Sequence, residues 1–348
     1  MIITGLLVGL VLGFVFQRGR FCVTGAFRDV FLAGNTRWFS AFILLIAVHA
    51  VGLMTLNTLG IITLESSPFP WVGSIVGGFI FGYAIILAGG CATGTYYRSG
   101  EGLVGSWFAL IFYALFSAIM KGGPLADFTE RVRDITIKPG GLPQTFGVSP
   151  WVFAILLAAV AAVLVAHHQR KAKTPLATLP PRKTGLAHLL TEKRWNPFAT
   201  AAAIGVIATI AWPLSAATGR NAGLGITTPS SNLVQYLATG DVELVDWGVM
   251  LILGILGGSF IAAKASGEFR LRVPDAPTVL KSIGGGALMG VGAALAGGCT
   301  VGNAMVETAQ FSYQGWVSLI FMMLGTGLAA KLTIKPASAS APAATVAA

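Results

Sequence analysis

Three cysteines occur in this 348-residue chain, and each is followed by glycine three positions later: Cys22–Gly25, Cys91–Gly94 and Cys299–Gly302. Three such coincidences are improbable even with 45 glycines, so C-x-x-G is a repeated unit. A thiol is a weak hydrogen-bond donor carried on a soft, polarisable sulfur. It suits a sulfur-bearing anion, which can take S–H···S or S–H···O contacts, better than a carboxylate or a phosphate, which has no need of it. Three thiols are too few, and odd in number, for a disulfide framework. A lone cysteine in an apolar segment is ordinarily packing; three matched copies favour a pathway role.

The residues around the thiols repeat as well. GGFIFGYAIILAGGCATG at 77–94 aligns without a gap on GGALMGVGAALAGGCTVG at 285–302, with nine identities. A weaker pair joins GRFCVTG at 19–25 to GRNAGLG at 219–225, where Ala222 stands in place of Cys22. Adjacent glycines disfavour helix and permit unusual backbone angles, so AGGC, with Gly90 and Gly298 before the thiols, should break a helix at 88–91 and at 296–299. Short second helices then start at 92–100 and 300–310, with Thr93 and Thr300 as cap candidates. Free N–H groups and positive dipole ends at such half-helix N-termini favour an anion. Arg20, costly at membrane depth, should face a cavity, a partner or an anion; Arg20 and Arg220 also fit as interfacial anchors. Asn303 and Glu307 are candidates for the outer vestibule. His49 reads as a satisfied packing residue, and His167 and His168 as solvated loop residues.

The elements that position these residues must lie in lipid. The chain is 55% hydrophobic and only 10% charged, with a mean hydropathy of +0.77; one soluble core could not hide so much apolar surface. Nine stretches are long and apolar enough to cross a bilayer, at about 2–17, 38–60, 71–89, 102–121, 150–168, 197–214, 246–264, 279–297 and 315–334. No cleavable signal peptide is evident, since no Lys or Arg precedes residues 2–16. The net charge of +10 reads as positive-inside loop charge, not as a nucleic-acid surface. The most basic loop, 167–196, should be cytoplasmic, which puts the N-terminus outside and the C-terminus inside.

The expected architecture is an all-α polytopic membrane protein with short re-entrant half-helices. Residues 1–121 form a first membrane repeat. Residues 122–196 hold an external loop, a linker helix and the basic cytoplasmic loop. Residues 197–334 form a second repeat, and 335–348 a disordered Ala/Ser/Pro-rich tail. The odd linker span inverts the second repeat, giving two-fold pseudo-symmetry with the site at the repeat interface near the midplane. Enzyme signatures are absent from the sequence: it has no H-E-x-x-H, no C-x-x-C and no P-loop. No cofactor or metal is expected.

GRFCVTGAFRD at 19–29, LAGGCATGTYYR at 87–98 and LAGGCTVGN at 295–303 resemble the YeeE/YedE family of membrane proteins, which includes the bacterial thiosulfate uptake transporter. The resemblance runs nearly the whole chain. It implies an inner-membrane protein with an hourglass-shaped helical fold. It implies thiosulfate uptake, with the ion passed along the thiols of Cys22, Cys91 and Cys299 and no lasting covalent bond. It also implies a small cytosolic TusA-like sulfurtransferase partner, and other members are linked to selenium metabolism. Competing functions are a membrane sulfurtransferase that forms a cysteine persulfide, transport of a selenium compound or another inorganic anion, a passive anion channel, and a structural membrane subunit that needs none of the cysteines.

Overall fold

The computed structural model describes residues 2–64, 67–171, 184–193 and 195–334. The expected disordered tail, Glu65 and four charged residues of the basic loop (Lys173, Arg182, Lys183 and Arg194) lie outside them. Among the described residues there is no strand, only three isolated bridges, and nine segments are long and apolar enough to span a bilayer. The chain is thus an all-α polytopic membrane protein.

Each of the nine expected stretches becomes a span. Two of them are broken helices. The first is α1 (Ile3–Gly19) followed by α2 (Val23–Ala33), and the third is α4 (Trp71–Leu87) followed by α5 (Ala92–Gly100). The unbroken spans are α3 (Arg37–Thr58), α6 (Val104–Lys121), α9 (Pro150–Lys171), α11 (Pro197–Ala216), α13 (Trp247–Ala265), α14 (Ala276–Ala296) and α15 (Tyr313–Thr333). Short helices α7 (Ala126–Arg133) and α8 (Leu142–Phe146) fold the segment between α6 and α9. Helix α10 (Gly185–Thr191) precedes α11, and α12 (Thr227–Thr239) follows it.

Glycine sets the packing. In lipid, helices gain little from apolar burial and associate where small residues let backbones touch. α1 lies on α13 and α11 on α3; α4 lies on α15 and α14 on α6; α4 and α14 cross each other. At the crossing, a methyl group on Gly77 would strike the Ala296 backbone, and one on Gly285 the Ala88 backbone. One turn on, Gly82 meets the Met322 carbonyl of α15, and Gly290 meets Tyr113 of α6. These are the glycines that matched in the sequence. α9 stands apart, packed on α3 with its remaining faces exposed.

Both AGGC breaks form where expected. Gly89 and Gly297 take φ of +72° and +83°, angles that a side chain would resist. After the first break, α5 occupies residues 92–100 as read from the sequence. After the second, Gly302–Glu307 is a π-helix rather than an α-helix.

Candidate functional site

Cys22, Cys91 and Cys299 are free thiols, all buried and all within one continuous core. Cys22 is the extended N-cap residue of α2 and Cys91 that of α5. The two thiols face the same glycine, Gly94. A methyl group on Gly94 would sit 3.3 Å from the Cys22 sulfur and 3.7 Å from the Cys91 sulfur, so the bare glycine makes room for the pair. The amides of Gly25 and Gly94 lie against the sulfurs of their own motifs without forming full capping bonds. Hence C-x-x-G places a thiol over the free amides of a helix's first turn, where the dipole favours negative charge.

Cys299 opens the opposite break. Its sulfur accepts from the Val301 amide at 3.4 Å, and the Tyr113 hydroxyl lies beside it while donating to Thr227 Oγ1 at 2.9 Å. Thr300 places its hydroxyl towards the Cys91 thiol but makes no hydrogen bond of full geometry. Neither threonine caps a helix. Cys91, already extended, takes the N-cap position of α5, and Val301 that of the π-helix. Thr93 and Thr300 instead line a small apolar gap with Phe16, Phe21, Ile204 and Met305. The gap, referred to below as the waist, measures about 10 Å³, room for about one water molecule.

On one side of the waist a cavity of about 280 Å³ is lined by Arg220, Gly298, Gly302, Asn303 and Glu307. Asn303 and Glu307 thus line a cavity. Asn303 also braces the break: its amide donates to the Ala296 and Gly298 carbonyls, both at 2.9 Å, and its oxygen accepts from Gln314 at 2.8 Å. The Arg220 guanidinium is no simple anchor, for it ties its own turn together through Ser215 and the Ala222 and Gly223 carbonyls.

Across the waist the charges are paired. Arg20, in the left-handed region at φ 48°, binds Glu268 at 2.9 Å and Glu101 at 3.7 Å. Arg18 adds a 3.5 Å contact to Glu268, and the Gln17 amide donates to both carboxylates. Burial opposes ionisation of Glu268, but Arg20, Gln17 and Arg18 outweigh it and hold its carboxyl below the usual carboxylate range. At Glu101 burial wins and pushes the carboxyl up despite Arg20. Arg20 therefore serves an ion-pair network joining α1, α5 and the loop after α13, instead of standing free beside the thiols.

The cation that does stand by the thiol pair is Arg98, which was not singled out from the sequence. It donates to the Gly89 carbonyl, lies over the Tyr97 ring at 5.8 Å and is near enough to Cys22 and Cys91 to stabilise a negative charge there. Gly90 packs beside it, with its missing Cβ 3.5 Å from Nη1. An Arg seven residues after Cys91, two turns along a half-helix that starts at the thiol, was the available signal.

Two histidine readings change. His49 is packed, and its buried ring nitrogens make no hydrogen bond of full geometry, although the ring faces the Met305 backbone. His168 is only partly exposed: on α9 it bonds Ser40 at 3.1 Å and Thr36 at 3.3 Å. His167, beside it, is exposed as expected. No cluster of metal-binding side chains occurs among the described residues.

Comparison with known proteins adds independent findings. Residues 18–328 match the family described as Sulphur transport. The chain is 51% identical to the thiosulfate transporter TsuA of Escherichia coli K12 over 332 residues, 95% of this chain and 94% of that protein. It is 34% identical to the thiosulfate transporter TsuA of Spirochaeta thermophila, over 93% of this chain and 97% of the relative. A shorter match, 36% over 117 residues, is to the probable transporter YedE of E. coli.

Proposed function

We propose that this chain, which belongs to the sulphur transport family, carries thiosulfate inward across the plasma membrane along a route marked by Cys299, Cys91 and Cys22. Two relatives matched over nearly their whole length are named thiosulfate transporters. The observation that carries the residue-level reading is the Cys22–Cys91 contact around Gly94.

In this reading the ion enters the cavity beneath Gly298 and Gly302 and meets Cys299. It then passes the Thr300–Thr93 gap to the Cys91–Cys22 pair. Each thiol donates its S–H to the terminal sulfur or an oxygen of the ion and lets it go; no covalent bond forms or breaks. The half-helix amides of α2 and α5, with Arg98, hold the negative charge where water is excluded. The waist has room for about one water molecule, so passage needs the half-helices to part. Weak, sequential contacts suit this task, because an ion bound too tightly at one station would not leave it.

The partner exchange between helices supports an inverted repeat of 1–121 and 197–334: α1 on α13 mirrors α11 on α3, and α4 on α15 mirrors α14 on α6. Arg18, Arg20 and Lys193 gather at one end and Arg220 and Glu307 at the other. Under the positive-inside rule this supports an outside N-terminus, a cytoplasmic C-terminus and an exit where a TusA-like sulfurtransferase would take the ion.

The test is radiolabelled thiosulfate uptake in cells lacking other sulfur importers. Cys22→Ala, Cys91→Ala and Cys299→Ala should each remove most uptake while membrane abundance is unchanged. Full uptake by Cys91→Ala would overturn the thiol route. Mass spectrometry of the thiols after substrate exposure should show no persulfide.

A further inference from the structure

A second cavity, larger than the one leading to the thiols, is unused by this mechanism. It measures about 1050 Å³ and opens between the end of α1, the start of α3 and the α10–α11 connection. Its walls include Trp38 and Trp195; its cations are Arg18, Arg20, Arg37 and Lys193, of which Arg20 is paired with Glu268 and Glu101.

Three features make it a built anion site. Arg18 is only 5% exposed; Nη1 lies 3.5 Å from Glu268 and Nη2 donates to the Lys193 carbonyl at 3.2 Å, but Nε is buried without a partner. The N-termini of two long helices converge there. Asn35 accepts from the Arg37 amide at the start of α3, and Asn196 from the Phe198 amide at the start of α11. Each cap satisfies one amide and leaves the others of its first turn free. Finally, Arg37 and Lys193 stand exposed at the rim, and among the described residues no acidic side chain lines the cavity.

We propose that this groove binds the phosphodiester headgroup of an anionic phospholipid from the adjoining leaflet. The size and the two tryptophans suit a headgroup with the start of its acyl chains better than a small free ion. Tryptophans beside cations are the side chains that settle at the level of lipid headgroups, and basic pockets between membrane helices recognise anionic lipids. The bound lipid buttresses the thiol region, because the Trp38 ring packs edge-on against Phe21 at 5.9 Å, and Phe21 precedes Cys22. Trp195 packs likewise on Phe14 of α1, at 6.4 Å.

The test uses the full-length protein, purified in detergent and stripped of lipid, and is independent of transport. Thermal unfolding is titrated with short-chain phosphatidylglycerol, with phosphatidylcholine of the same chain length, and with inorganic phosphate. Phosphatidylglycerol should raise the Tm and stay bound in native mass spectrometry; the other two should not. Arg37→Gln with Lys193→Gln removes two exposed cations and leaves Arg18 and the caps in place. It should keep the unliganded Tm and weaken the apparent Kd for phosphatidylglycerol about 30-fold, the weight of two basic side chains near a lipid surface. An equal response to phosphatidylcholine, an equal response to inorganic phosphate, or an unchanged Kd in the double variant would each overturn the proposal. So would loss in the double variant of a bound soluble protein with the lipid response intact.

Discussion

Cys22 and Cys91, 69 residues apart in sequence, bring their thiols together over the bare Cα of Gly94. The three C-x-x-G glycines are therefore not equivalent. A methyl group on Gly94 would press on both sulfurs, whereas one on Gly25 or Gly302 would meet nothing within 4 Å. Gly94→Ala should cut thiosulfate uptake severalfold while leaving the protein folded. Gly25→Ala and Gly302→Ala should transport nearly as well as wild type. Each also gains the helix propensity of alanine, at most about 1 kcal/mol. Uptake and membrane abundance measured in parallel decide the matter; equal effects at all three positions would remove the special place of Gly94.

Arg98 yields a second prediction. Its charge faces the thiol pair while its Nη1 ties down the Gly89 carbonyl at the break. Arg98→Gln should lower uptake by more than about tenfold, the equivalent of ~1.4 kcal/mol, with the larger effect on apparent affinity for the dianion. Arg98→Lys keeps the charge but loses the planar fork, and should retain intermediate uptake. If Lys and Gln behaved alike, the role of Arg98 would lie in bracing the break.

The ion-pair network gives a pH dependence of defined sign. Arg20, Gln17 and Arg18 hold the Glu268 carboxyl below its usual range against the cost of its partial burial. A depressed carboxylate stabilises the fold at pH values above its unfolded pKa, near 4.3, and that contribution is lost as pH falls through the lower folded value. Glu268→Gln should therefore lower the Tm at pH 7, and its deficit against wild type should shrink as the pH drops below about 4. Glu101 has the opposite sign, since burial pushes its carboxyl up. Protonation through that raised value favours the fold, so Glu101→Gln should become less distinct from wild type as pH falls. A Glu268→Gln deficit that stayed constant across this range would mean packing, not charge, links Arg18 and Arg20 to the loop.

The parts of this architecture that were legible in the sequence are those that rest on local chemistry. Nine spans follow from hydropathy, and the breaks after α4 and α14 follow from paired glycines before a cysteine. What depended on distant partners was not legible. Gln17 reaches Glu101 and Glu268 across 84 and 251 residues, and nothing near Arg20 announces that two carboxylates will claim it. Thr93 and Thr300 looked like caps because hydroxyl residues usually cap helices. The backbone instead turns helical one residue after Cys91, so the thiol occupies the cap position and the hydroxyls are left to line the waist. The π-helix after Cys299 was equally invisible; Asn303 draws the Ala296 and Gly298 carbonyls towards itself just where the wider turn begins.

The glycine pairs of the repeat provide the last prediction, at the level of folding. Gly82 on α4 would drive a methyl group into the Met322 carbonyl, and Gly258 on α13 into that of Leu10, rigid backbone in both cases. Gly284, on the same helix as the matched Gly285, faces open space. Overpacking of a tight contact costs about 1–3 kcal/mol, a large share of the total stability of a typical protein. Gly82→Val and Gly258→Val should therefore lose most folded protein from the membrane, read as monodisperse material after detergent extraction, while Gly284→Val should remain near wild-type abundance. The distinction separates glycines that set helix spacing from those merely tolerated in lipid. If Gly82→Val accumulated normally and still transported, the α4–α15 crossing could not be held by backbone contact at that position.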